Sequence, residues 1–292
     1  MLSLDKLSRV GIGTSRVASL GSRMTPPTFT TLLKAAAEHG VNLIDTSDFY
    51  GSGDAERLIS KCLKNISHPF FVVTKAGLPC VHTPGWLSPL NQIGKKIKQR
   101  TGAKNDFTAS YLVRSVQKSN QRLGVEAADA LLVHEPSWDE VAADTWDGLA
   151  QIRQQGLARY TGVSTDDYRV VEAGIHSGQV QLVQTPATWR SDNAIAELCH
   201  AHQIPVIANQ VLQPYQALQQ LFAQHAAAIH KLDGLAKISL PQLLIAAVLA
   251  ENKADAVLFG TSNLIHLAHN IDSLRYLPSL PPALPVLHQL LA

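Results

Sequence analysis

Short, β-branched apolar runs alternate with longer stretches of helical spacing along almost the whole chain, and this alternation constrains the fold more than any other feature. The runs lie at Val10–Thr14, Val41–Asp45, Phe70–Lys75, Ala130–His134, Tyr160–Val163, Leu182–Gln184, Pro205–Ala208 and Ala256–Phe259, eight in all. Several are unbroken, such as Phe70-Phe71-Val72-Val73 and Val257-Leu258-Phe259. A strand covered on both faces reads that way, as in a parallel sheet flanked by helices. Repeated strand–helix units close into a barrel or open into a doubly wound sheet, and the strand count alone leaves both standing. At 292 residues the chain suits a single (β/α)8 TIM barrel over residues 1–292, with its active site at the C-terminal ends of the strands.

Helix borders support this reading. Thr108 is expected to cap a helix with Leu112, Val116 and Leu123 on one side, and Gly124 to end it in a left-handed conformation. Asp144 and Gly156 are expected to bracket the next helix, and Asp192 and the Ile204-Pro205 junction a later one. Two stretches break the spacing. Ala76 to Asp106 holds Pro79, Pro84, Gly85, Trp86 and Pro89, while Gln213 to Lys237 adds a helical stretch before the apolar helix Leu240 to Glu251. In a barrel both follow strand C-termini, so both are expected to be substrate-side loops.

Composition narrows the function. Charged residues make up 16% of the chain and the formal net charge is +2, too weak a field to imply nucleic acid as a partner. Cys62, Cys80 and Cys199 are few, odd in number and far apart, which points to a reducing, cytoplasmic compartment instead of a disulfide framework. Met1 to Val10 lacks the apolar segment of a secretory signal, and the longest apolar run, Leu243 to Ala250, is too short for a bilayer, so no membrane partner is expected. His225 with His230, and His266 with His269, lack a third ligand nearby, so no metal is expected.

Polar residues of chemical interest stand where the strands end. Asp45 follows Asn42-Leu43-Ile44, Lys75 follows Phe71-Val72-Val73-Thr74, His134 follows Leu131-Leu132-Val133, and Tyr50 lies just past Asp45. In a parallel barrel all four converge on one rim. A lysine behind an apolar strand is costly to bury unless paired, and Asp45 is its natural partner. An ammonium close to a phenol favours the phenolate, so Lys75 is expected to lower the pKa of Tyr50. Singly, each residue reads as a cap, an ion pair or a loop anchor; four in one frame are harder to dismiss.

With these residues in order, the sequence resembles the aldo-keto reductase superfamily. The resemblance runs from Gly11-Ile12-Gly13-Thr14 through Asn42 to Thr46 with Tyr50-Gly51, Thr74-Lys75, Leu131 to Pro136, Gly162-Val163-Ser164 and Phe259 to Asn270. It implies a catalytic tetrad of Asp45, Tyr50, Lys75 and His134, and a small-molecule carbonyl substrate. Tyr50 would donate the proton, Lys75 held by Asp45 would tune it, and His134 would orient the carbonyl. The implied cofactor is NADPH, with NADH open, because the lysine or arginine many members use for the 2′-phosphate is missing. Asp45, Ser164 and Gln184 match nicotinamide-end positions, and Thr165 stands where an asparagine is usual. Asn209 occupies the position of a stacking aromatic ring, with Tyr215 as a candidate substitute. Gly260, Thr261 and Ser262 open a turn whose N–H groups can hold a phosphate, and His266 and Asn270 resemble adenosine-end contacts. Gly13 and Thr14 close the set; a tight strand-end turn is an equal reading of Gly11-Ile12-Gly13. No Gly-x-Gly-x-x-Gly follows the first strand, which argues against a Rossmann domain.

Two other classes stay open. Asn209 suits a barrel that keeps the cofactor pocket as a binding or regulatory subunit, and the turn at Gly260 suits a lyase or isomerase acting on a phosphorylated substrate. The sequence specifies neither the physiological carbonyl nor the oligomeric state.

Overall fold

The computed structural model describes residues 2–18, 24–79 and 104–292. Eight parallel strands close into a barrel in chain order. They are β1 (Val10–Gly13), β2 (Leu43–Asp45), β3 (Phe71–Ala76), β4 (Ala128–His134), β5 (Ala158–Ser164), β6 (Leu182–Pro186), β7 (Val206–Asn209) and β8 (Ala256–Phe259). Between and after them run α1 (Pro26–Glu38), α2 (Asp54–Leu63), α3 (Ala109–Leu123), α4 (Ala143–Gln154), α5 (Tyr168–His176), α6 (Ala194–Ala201), α7 (Tyr215–Ile229), α8 (Leu240–Ala250), α9 (Leu264–Ile271) and α10 (Leu280–Leu290). The register from Gly13↔Asp45 around to Ile12↔Phe259 excludes the open, doubly wound alternative.

Residue parity sorts the strands into two cores, because side chains alternate between faces. Ile44, Val72, Leu131, Val133, Val183, Val206, Ala208 and Val257 join the large cluster beneath the helices. Leu43, Phe71, Val73, Ala130, Leu132, Leu182, Ile207, Ala256 and Leu258 form a second cluster inside the barrel. Leu2, Leu4 and Leu7 pack against that inner cluster, so the N-terminal segment covers the end of the barrel opposite the strand C-termini. Close packing of strands demands glycine at two places. A Cβ on Gly162 would lie 1.8 Å from the Leu182 carbonyl oxygen, and one on Gly11 would meet the Leu43 side chain at 2.7 Å. Gly11 and Gly13 are thus strand residues of β1, not a tight turn.

Helix ends follow the sequence with three corrections. Gly124 (φ 71°) ends α3 in the left-handed region, as expected. Thr108 holds the cap position of α3, but its hydroxyl donates to Asp106; the N–H of Ala109 is taken by Asp144 instead. Asp144 therefore lies inside the first turn of α4 and caps its neighbour, while Thr145 Oγ1 accepts from the N–H of Ala142. For α6 the cap is Asn193, one residue beyond Asp192, accepting from Ala196.

The stretch Gln213 to Lys237 contains α7, and α8 is core almost throughout, with Leu243 to Val248 fully buried. Each buried Leu, Ile or Val of α8 contributes about 1.5–3 kcal/mol relative to exposure. Most of the other irregular stretch, with Cys80, Pro84, Gly85, Trp86 and Pro89, lies outside the described residues. Cys62 and Cys199 are buried, unbridged thiols. Among the described residues no helix is long and apolar enough to cross a membrane.

Candidate active site

The inner cluster ends in polar residues at the strand C-termini. Continuing each inward set by two residues leads from Leu43 to Asp45, from Val73 to Lys75, from Leu132 to His134, from Leu182 to Gln184 and from Ile207 to Asn209. A hydrophobic floor thus carries a polar layer. Lys75 is fully buried at its centre. Its Nζ donates to Asp45 Oδ1 at 2.5 Å and to the Thr46 carbonyl at 2.9 Å, and it stands 3.5 Å from the Tyr50 hydroxyl. The same nitrogen lies 5.0 Å from the centre of the Tyr50 ring. His134 completes the group: its ring meets the Tyr50 ring edge-on, centroids 5.8 Å apart. The four rim residues read from the sequence therefore meet.

Electrostatics set the protonation state of each group. Burial works hardest against the Lys75 ammonium, but the charges of Asp45 and Tyr50 and hydrogen bonds to both hold its pKa above the ordinary value. Tyr50 departs from the sequence expectation. Burial raises its pKa more than Lys75 lowers it, and the Asp45 carboxylate adds to the rise, so the net direction is upward. The phenol is thereby kept protonated, as a proton donor must be.

A second chain of bonds runs along the rim. Ser164 Oγ donates to Gln184 Oε1 at 2.7 Å, and Gln184 Nε2 donates to Asp45 Oδ1 at 2.8 Å. Counting capacity, Gln184 retains one N–H and one lone pair, and Ser164 Oγ retains its lone pairs. Asn209 Oδ1 is buried without a partner among the described residues. Amide donors and acceptors of this kind fit a carboxamide, the polar group of a nicotinamide.

Other residues expected at the cofactor have structural duties. Thr14 donates both its N–H and its hydroxyl to the Asp45 carbonyl, at 3.0 and 2.8 Å, and so fixes the end of β2; Gly13 pairs with Asp45 in the sheet. The Thr165 hydroxyl donates to the Pro136 carbonyl and accepts from the N–H of Asp167. At the end of β8, a Cβ on Gly260 would meet only the Gly13 carbonyl, at 3.3 Å, among the described residues. Beyond it, Thr261 accepts from the N–H of Asn263, and Asn263 Oδ1 accepts from Ile265 and His266 at the start of α9. A phosphate held there would compete with Asn263 for those N–H groups. Ser262 and His266 are exposed, Asn270 lies a turn further along α9 and is buried, and Tyr215 begins α7.

Two buried residues of the rim were not singled out in the sequence. Ser47 Oγ lies 3.0 Å from His134 Nδ1. Asp48 is fully buried, and burial, reinforced by the Glu56 carboxylate, pushes its carboxyl up to about 8 despite the nearby Arg122 and hydrogen bonds from Ser47 and Phe49. Glu56 is held by Arg122 Nε and by the Thr74 hydroxyl at 2.6 Å. Their position between Asp45 and Tyr50 was the available signal.

Known proteins resemble this chain in sequence or in fold. L-galactose dehydrogenase of Arabidopsis thaliana is 23% identical, over 94% of this chain and 86% of its own length. Pyridoxine 4-dehydrogenase of Escherichia coli (strain K12) is 25% identical, over 92% and 90%. An aldo-keto reductase from Klebsiella pneumoniae, solved in complex with NADPH, superposes with a TM-score of 0.69 at 19% identity, over 92% of this chain and 86% of that one. The family model described as Aldo/keto reductase family matches residues 9–279, nearly the full length, and the protein belongs to that family.

Proposed function

We propose that the protein reduces an aldehyde or ketone to an alcohol with a nicotinamide cofactor, NADPH in the first instance, and that Tyr50 donates the proton. One observation carries this reading: a fully buried ammonium, Lys75, spans 2.5 Å to the Asp45 carboxylate and 3.5 Å to the Tyr50 hydroxyl at the mouth of a barrel. Family membership and the Klebsiella pneumoniae complex with NADPH support the cofactor. Ser164, Gln184 and Asn209 would hold the carboxamide end, and the turn from Gly260 to Ser262 with His266 and Asn270 the other. When bound, the reduced nicotinamide supplies a hydride to the carbonyl carbon.

This chain's residues manage the proton and the charge. As negative charge grows on the carbonyl oxygen, the Tyr50 hydroxyl gives up its proton to that oxygen. The Lys75 ammonium then faces the new phenolate, and Asp45 keeps the ammonium in place. His134 orients the carbonyl by donating a hydrogen bond. Dehydrogenase names among the relatives suit the same chemistry run in reverse, from alcohol to carbonyl.

Fluorescence titration with NADPH and NADH, followed by assay of a panel of small aldehydes, tests the proposal. Binding of one cofactor with turnover is expected, and Tyr50→Phe should lower kcat by about 10²- to 10⁴-fold while leaving cofactor affinity unchanged. No binding of either cofactor would refute it. Asn209 in place of an aromatic ring favours a second reading, a cofactor-binding regulatory barrel; tight binding with turnover indifferent to Tyr50→Phe would decide for that one.

A further inference from the structure

Ser47 is buried just after Asp45, and its hydroxyl reaches His134 at the end of β4. We propose that Ser47 is a positioning residue for His134: its hydroxyl donates to Nδ1 and so fixes the neutral ring as the tautomer with its hydrogen on Nε2. The consequence for a substrate carbonyl rests on the reduction proposed above; the tautomer assignment does not.

The direction of the bond rests on distance: the hydroxyl hydrogen goes to its nearest acceptor. The Phe49 N–H donates to Ser47 Oγ from 3.0 Å and fills one of the two lone pairs of that oxygen, so what decides the bond to His134 is where the single hydroxyl hydrogen goes. Among the described residues that hydrogen has three acceptors in reach: His134 Nδ1 at 3.0 Å, and the Lys75 carbonyl and Asp48 Oδ1, each at 3.4 Å. The nearest is the imidazole nitrogen. The Lys75 carbonyl is also partly satisfied, since it accepts from the Asp48 N–H at 3.2 Å. Asp48, with its carboxyl pushed up to about 8, holds a proton at neutral pH and so exerts little pull on the Ser47 hydrogen.

A neutral imidazole has one donor and one acceptor nitrogen, and the partner of one decides the role of the other. With Nδ1 accepting from Ser47, Nε2 is left as the donor that carbonyl orientation requires. The flanking rings set the plane of the imidazole but not its tautomer. Phe49 and Tyr50 meet it edge-on at centroid distances of 6.1 and 5.8 Å, with interplanar angles of 87° and 81°. Alanine at position 47 would keep the fit of the rings and remove the hydroxyl that tells the two nitrogens apart.

The test is long-range proton–nitrogen NMR on the intact protein with ¹⁵N-labelled histidine, with His134 assigned by comparison with His134→Gln. In the parent protein Nδ1 should resonate as a bare nitrogen and Nε2 as a protonated one. Ser47→Ala should shift both toward averaged values, and Ser47→Thr, which restores the hydroxyl, should return them. Ser47→Ala should also lower kcat about 3- to 10-fold, the worth of one hydrogen bond, with cofactor affinity unchanged. A protonated Nδ1 in the parent would overturn the assignment even if Ser47→Ala does not fold, and so would a Ser47→Ala spectrum identical to the parent's. The spectra need neither cofactor nor turnover, so an absence of reductase activity would count against the proposed function and leave this inference standing.

Discussion

Replacing Asp48 by asparagine should make the protein more stable at alkaline pH, and the size of the gain can be worked out. Asp48 is fully buried, and its carboxyl is pushed from the ordinary 3.8 to about 8, first by burial and then by the Glu56 carboxylate, with Arg122 opposing. Between those values the folded protein holds a proton that the unfolded chain has released. Stability therefore falls as pH rises through that window: the contribution is complete below 3.8 and lost once pH passes about 8. At about 1.4 kcal/mol per pH unit, the whole span amounts to ~6 kcal/mol, a large share of the stability of an ordinary domain.

The amide side chain of the Asp48→Asn variant would have nearly the same shape and could not ionise, so the variant lacks this fall. Urea unfolding of both proteins, followed by far-UV circular dichroism from about pH 5 to about pH 8, measures the difference. The parent should lose ~4 kcal/mol relative to the variant across that range, while contributions shared by both proteins, such as those of Lys75 and Tyr50, cancel. Parallel curves would refute the reasoning, because they would mean that Asp48 exchanges no proton with solvent between the two states in this range.

Lys75→Met should abolish reduction and also destabilise the fold by about 3–5 kcal/mol, since the buried Asp45 carboxylate would keep the Gln184 amide but lose its ammonium. The double variant Asp45→Asn/Lys75→Met should recover most of that stability and none of the activity, as read by urea unfolding and aldehyde assay. Gly162→Ala should prevent β5 and β6 from pairing, because the new Cβ would fall 1.8 Å from the Leu182 carbonyl; Gly156→Ala, with φ 66° and open space around it, should cost only about 1–2 kcal/mol. Comparison of their melting temperatures checks the contrast.

The barrel was legible because its strands obey two rules visible in sequence. Continuous apolar runs betray cover on both faces, and every second residue of a run shares a face. Asp45, Lys75 and His134 stood out as polar residues at the ends of apolar runs, and Gln184 through the family resemblance; the structure adds the reason, since each lies two steps beyond an inward Leu43, Val73, Leu132 or Leu182 where the floor ends. Helix caps were less legible. Asp144 has the chemistry of a cap but serves α3 instead of its own helix, because the choice depends on which N–H lies nearest in space. The pKa of Tyr50 is less legible for a related reason: the neighbouring charge of Lys75, which does lower it, is written in the sequence, whereas the burial that outweighs it comes from packing.

The segment from Thr46 to Gly53 determines where Tyr50 stands. Tyr50 reaches the ammonium only because the chain turns sharply after β2, and that turn is fixed several times over. The Tyr50 N–H donates to the Ser47 carbonyl and the Phe49 N–H to the Ser47 hydroxyl, at 3.1 and 3.0 Å. Gly51, Ser52 and Gly53 follow with φ of 58°, 56° and 88°. A left-handed serine costs roughly 1–2 kcal/mol, and a Cβ on Gly51 would also strike the Ala18 side chain at 2.7 Å. Strain of that kind persists only where the surroundings enforce it. The placement of the proton donor is thus a property of the turn as much as of the four residues that meet there, and substitutions at Gly51 or Ser52 should move the phenol without touching any of its charged partners.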